Sequence, residues 1–139
     1  MPNHFHILLK QETENGTFVY MSRVINSYVK YINTKHKRVG PLFQGVFKAV
    51  LVETDEQLLH LSRYIHMNAY ASGIVSEKSL FSYPWSSLSA YCNDQPSFVD
   101  KTFILSNFRS ISDYKKFISD QTNYAKELEA IKHLILEET

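Results

Sequence analysis

Residues 54–73 read TDEQLLHLSRYIHMNAYASG, and this stretch organises the rest of the chain. Thr54 followed three residues later by Gln57 has the form of a capping box, and Asp55 and Glu56 suit the positive end of a helix. A helix is therefore predicted from Asp55, with Leu58, Leu61 and Ile65 as a buried stripe and an end before Gly73, a natural C-cap residue. Tyr64 and Asn68 are four residues apart in it, so a hydroxyl and an amide share one face about a turn apart. A tyrosine can attack a phosphodiester reversibly and conserve the bond energy as a phosphotyrosine. The pair is equally the mark of a core tyrosine beside a helix-end asparagine.

Upstream, Thr17 to about Thr34 shows helical spacing in Met21, Val24, Ile25, Tyr28, Tyr31 and Ile32. Gln11 to Gly16 reads as a turn, and His36 to Gln44, with Gly40-Pro41, as an ordered loop. Strands are predicted over His4 to Lys10, where Phe5, Ile7 and Leu9 share one face and His4, His6 and Leu8 the other, and over Val46 to Glu53. Downstream, Ser82 to Tyr91 reads as a turn entering a brief helix and Lys101 to Phe108 as a short helix. Ser112 to about Glu137 has amphipathic helical spacing.

On a strand, His4 and His6 would project together with Cα atoms roughly 7 Å apart. That spacing suits joint coordination of a metal ion, and suits as well two unrelated histidines near a chain start. Cys92 is the only cysteine, which excludes an intramolecular disulfide and a cysteine-based zinc cluster and leaves packing as its role. Hydrophobic residues at 44% and charged residues at 21% place the chain among globular proteins rather than disordered ones. No apolar run reaches bilayer length and the N-terminus lacks a signal pattern, so a cytoplasmic protein without a membrane partner is expected.

The net charge of +1 does not by itself announce a nucleic-acid binder, but its distribution is uneven. Lys30, Lys35, Lys37, Arg38 and Lys48 form a basic stretch with no acid between Lys30 and Lys48. Lys35, Lys37 and Arg38 are candidate DNA-backbone contacts, with Gln44 and Lys48 beside them, and each also suits a solvated surface. Phe43, Phe47, Tyr70 and Trp85 could stack on unpaired bases, though core packing is the expectation for Phe47 and Trp85.

Four blocks in order, MPNHFHILL, GPLFQGVFKAVLV, RYIHMNAYASGIV and YPWSSLSAY, resemble the single-tyrosine HUH transposases, in particular the REP-associated tyrosine transposases. The resemblance spans Met1 to Tyr91. It implies that His4, His6 and Asn68 hold a catalytic Mg²⁺ or Mn²⁺ and that Tyr64 is the nucleophile, giving a 5′-phosphotyrosine and a free 3′-hydroxyl. Arg63 would favour the phenolate and contact DNA, and His66 is a proton acceptor by proximity alone. The resemblance further implies a ferredoxin-like α+β fold with an antiparallel sheet backed by helices, acting as a homodimer on single-stranded or hairpin DNA. Ala69 stands where the family commonly has proline, and Val46 where it commonly has arginine. The chain also begins almost at the HUH strand, so the expected architecture is a catalytic domain over 1–92 lacking its first strand-helix unit, followed by a helical extension over 93–139. A catalytically impaired remnant that only binds hairpin or single-stranded DNA is the alternative. A metal-dependent hydrolase unrelated to DNA is a third reading, against which the Tyr64 and Asn68 pairing counts.

Overall fold

A computed structural model describes residues 4–93 and 97–120 together with Tyr124, Leu128 and Ile131. Among the described residues the chain forms α1 (Gly16–Lys35), α2 (Asp55–Ala71), α3 (Glu77–Leu80), α4 (Leu88–Cys92), α5 (Thr102–Ser106) and α6 (Ile111–Ser119). Contacts divide the chain into two units, one of Met1–His6 with Val50–Thr139 and one of Ile7–Ala49.

In the larger unit α2 starts as its sequence requires. The Thr54 hydroxyl accepts from the Gln57 N–H at 3.1 Å, and the Gln57 side-chain oxygen accepts from the Thr54 N–H at 3.3 Å. Gly73 takes φ +69°, a left-handed conformation that costs glycine little, and the chain turns there into α3. Removing the cap by Thr54→Ala is expected to cost about 1 kcal/mol. Thermal unfolding checks this, and an unchanged midpoint would show that tertiary packing alone fixes the start of α2.

Every residue from Ser62 to Ala69 except Ile65 is buried, so α2 is the central element of its unit. On one side Met67 joins Leu80, Leu88, Tyr91, Ile104, Tyr114 and Ile118 in the main core. On another, Tyr64 packs with Leu61, Ile65, Leu128 and Ile131. The expected boundary between 92 and 93 runs through the main core, because α5 and α6 contribute to it beside α2 and α4. Residues beyond it therefore complete the packing of α2 rather than extend from a finished domain. Trp85, expected in a core, is 85% exposed.

The smaller unit is α1 with the chain that follows it. The Asn33 side-chain amide donates to the Gly40 carbonyl at 2.9 Å, Tyr28 meets Phe43 with centroids 6.1 Å apart, and Phe18 meets Phe47 at 6.4 Å. Later loop residues thus meet earlier helix residues, and the segment doubles back along α1.

The expected α+β, ferredoxin-like fold with an antiparallel sheet is corrected: among the described residues there is no strand, and the protein is mostly helical. Exposure does alternate from His4 to Leu9, with His4, His6 and Leu8 on the more covered side. Alternation, however, fixes only the side-chain period, whereas a strand also needs a neighbour to accept and donate ladder hydrogen bonds. Neither His4 to Lys10 nor Val46 to Glu53 is paired into a ladder among the described residues. Gly45 at φ +73° and strongly exposed Val46 and Leu51 interrupt the second segment further. The predicted helix from Ser112 is α6 as far as Ser119, where Asp120 turns extended; the remainder falls largely outside the described residues.

Candidate functional site

Residues far apart in sequence meet beside α2. The imidazoles of His4 and His6 lie edge to face with centroids 5.2 Å apart, and the His6 ring lies edge to face with Tyr64 at 5.7 Å. Two residues of chain rise explain the first contact. The second is a tertiary contact across nearly sixty residues, and it unites the two halves of the predicted constellation.

Asn68 lies on the Tyr64 side of α2, one turn on, and is 7% exposed. Its side-chain oxygen accepts a hydrogen bond from the Ser72 hydroxyl at 3.2 Å. An amide oxygen has two lone pairs, and this bond takes one of them and orients the Asn68 side chain. Two imidazoles and an amide oxygen suit a divalent ion that keeps several water ligands. Among the described residues no group of three or more His, Cys, Asp or Glu side chains gathers to hold a metal.

Tyr64 is 7% exposed, its ring covered by Leu128 and Ile131. Its neighbour Arg63 is 2% exposed, the guanidinium held 4.8 Å from the Phe117 ring centroid and 5.2 Å from that of Tyr124. Cation–π attraction of this kind offsets part of the cost of burying the charge. In this conformation Arg63 braces α2 against α6 and is not a surface contact for DNA.

His66 sits 200° around the helix from Tyr64 on ideal geometry of about 100° per residue, and it faces the main core. Its Nδ1 is 2.7 Å from the Tyr114 hydroxyl and its Nε2 2.8 Å from the Ser87 hydroxyl. Tyr91 stacks on Tyr114 at 5.6 Å and meets His66 edge to face at 4.7 Å. Burial pushes both phenols up from their ordinary range and lowers His66 to about 4. The buried ring is neutral, so one of its nitrogens donates and the other accepts, with the Tyr114 and Ser87 hydroxyls as the two partners. His66 is thus committed to the core and is not placed to take the Tyr64 proton.

This buried polar group was not foreseen. Ser62 and His66, four apart on one face of α2, carried a partial signal, but the partners Ser87, Tyr91 and Tyr114 belong to other elements. Cys92 packs partly buried against the same core, and burial pushes its thiol up.

The candidate DNA contacts Lys35, Lys37, Arg38, Gln44 and Lys48 are all exposed, and all belong to the smaller unit. Lys37 adopts φ +51° where the chain leaves α1. Phe43 and Phe47 lie half-buried along α1, while Tyr70 packs against the main core. No helix of the described residues is long and apolar enough to cross a membrane. Comparison with family models, curated proteins and solved structures gave no match for this chain.

Proposed function

We propose that this protein is a cytoplasmic, metal-dependent DNA transposase of the single-tyrosine kind, cutting single-stranded or hairpin DNA through Tyr64 and working as a homodimer. The observation that carries the reading is the meeting of His4, His6 and Tyr64, two metal-ligating side chains and a nucleophilic one. His4, His6 and Asn68 would hold Mg²⁺ or Mn²⁺, whose chemistry there is Lewis-acid polarisation of a phosphoryl oxygen. The Tyr64 oxygen forms the new bond to phosphorus, the bond from phosphorus to the 3′-oxygen breaks, and the departing oxygen takes a proton to become a 3′-hydroxyl. The phenolic proton leaves to solvent or to a basic group of the DNA complex. Lys35, Lys37, Arg38, Gln44 and Lys48 supply exposed polar and cationic contacts for the DNA backbone.

The second reading, a protein that binds DNA without cutting it, draws support from the cover of Leu128 and Ile131 over Tyr64. A phosphodiester reaches the hydroxyl only if that cover shifts. Incubation with labelled single-stranded and hairpin oligonucleotides, with and without Mn²⁺, separates the two. A covalent adduct that survives denaturation supports cleavage, and binding without adduct supports the second reading.

Metal binding has its own test. Replacing His4 or His6 by alanine removes one of few protein ligands, and each is expected to weaken Mn²⁺ affinity in calorimetric titration by at least about tenfold. Equal affinity in parent and both variants would return these histidines to ordinary chain residues.

A further inference from the structure

In the smaller unit, Tyr20, Arg23, Val24, Ser27, Tyr28 and Tyr31 line an open groove of about 530 Å³ along α1. At about 100° per residue these six positions fall within one face of the helix. Tyr20, Tyr28 and Tyr31 are 46%, 49% and 57% exposed. The Lys35 ammonium lies over the Tyr31 ring, 5.4 Å from its centroid, and so keeps a cation beside the aromatic face. From Thr17 to Val52 the chain contains no aspartate or glutamate, while Arg23, Lys30, Lys35, Lys37, Arg38 and Lys48 are all cationic.

Exposed tyrosines interleaved with cations match a chain of unpaired bases and phosphates: rings accept base faces by stacking and cations hold the backbone. We propose that the Tyr20 to Tyr31 face of α1 is a docking platform for single-stranded DNA, its bases stacking on the tyrosines and its phosphates paired with Arg23, Lys30 and Lys35. The choice of DNA over RNA rests on the cleavage reading; the platform itself needs neither Tyr64 nor a metal. A second copy of this chain fits the face poorly, because a two-fold contact would bring the cations of one copy, Arg23 and Lys30, against those of the other with no acid in the stretch to meet them. A lipid surface fits less well, since Ser27 lies within the face and Arg23 at its edge, where an inserting helix carries apolar side chains.

The test uses the full chain carrying Tyr64→Phe, so that turnover does not disturb the titration, and a fluorescent oligothymidylate of about 15 nucleotides followed by anisotropy. Tyr20→Leu and Tyr31→Leu are each expected to weaken binding by about five- to a hundredfold, whereas Tyr20→Phe and Tyr31→Phe, which keep the ring, bind like the parent. Arg23→Gln is expected to lower the slope of log affinity against log salt by about one phosphate contact. This last measurement decides the matter if the leucine variants do not fold.

Leucine variants that fold by circular dichroism and bind like the parent overturn the platform. So does equal or tighter binding of a DNA duplex of the same length. Tighter binding of an oligouridylate overturns the choice of DNA. A change in sedimenting mass with oligonucleotide affinity untouched assigns the face to self-association, and loss of binding to phosphatidylserine vesicles alone assigns it to a lipid surface; either result overturns the proposal. Absence of a covalent adduct with native Tyr64 removes the cleavage reading and leaves these binding results standing.

Discussion

Replacing Tyr64 by phenylalanine is expected to abolish covalent attachment to DNA while leaving fold and DNA affinity close to those of the parent. Only the phenolic oxygen is lost, and with it the atom that bonds to phosphorus. The ring still fills its place against Leu61, Ile65, Leu128 and Ile131, so no cavity opens in the packing around α2. A single oxygen thus carries the whole reaction and little of the stability. The measurement is denaturing electrophoresis of protein incubated with labelled single-stranded oligonucleotide and Mn²⁺, beside circular dichroism and a binding titration. A denaturation-resistant adduct formed by the Tyr64→Phe variant would show that another residue is the nucleophile.

Acidification is expected to destabilise the larger unit by about 3 kcal/mol through His66 alone, since each unit of pKa difference is worth about 1.4 kcal/mol. Burial holds the folded-state value at about 4, against 6.5 in the unfolded chain. The folded state therefore binds the proton less readily. Above about pH 6.5 both states are neutral at this ring and it contributes nothing to the pH dependence; as pH falls the unfolded chain takes up a proton first, and stability drops. The loss grows until about pH 4 and is constant below that. Protonation also removes the ring's one acceptor nitrogen, although both nitrogens face hydroxyls, Tyr114 at 2.7 Å and Ser87 at 2.8 Å. Urea unfolding across this range should show the loss, and the His66→Gln variant should lose its share of the slope. An identical pH dependence in the variant would assign the acid sensitivity to other groups.

Local signals governed what was legible in advance. Thr54, Gln57 and Gly73 delimit α2 because a capping box and a left-handed glycine depend on neighbours within a few residues. The same holds for α1, whose apolar spacing predicted a helix from Thr17 to Thr34 against an observed Gly16–Lys35. Segments with a two-residue alternation, His4 to Lys10 and Val46 to Glu53, were open to a different outcome. Their period constrains side-chain direction, and the ladder that would make them strands depends on residues elsewhere.

The sequence by itself determined the two long helices, the shared face of Tyr64 and Asn68, the proximity of His4 to His6 and the acid-free basic stretch, all consequences of spacing along the chain. Only the tertiary structure decided that His6 meets Tyr64, that Arg63 lies between Phe117 and Tyr124, and that His66 turns away to Tyr114 and Ser87. The physical reason is the same in each case. A helix fixes which side chains share a face, but which face is covered, and by what, depends on elements that the chain brings together only when it folds.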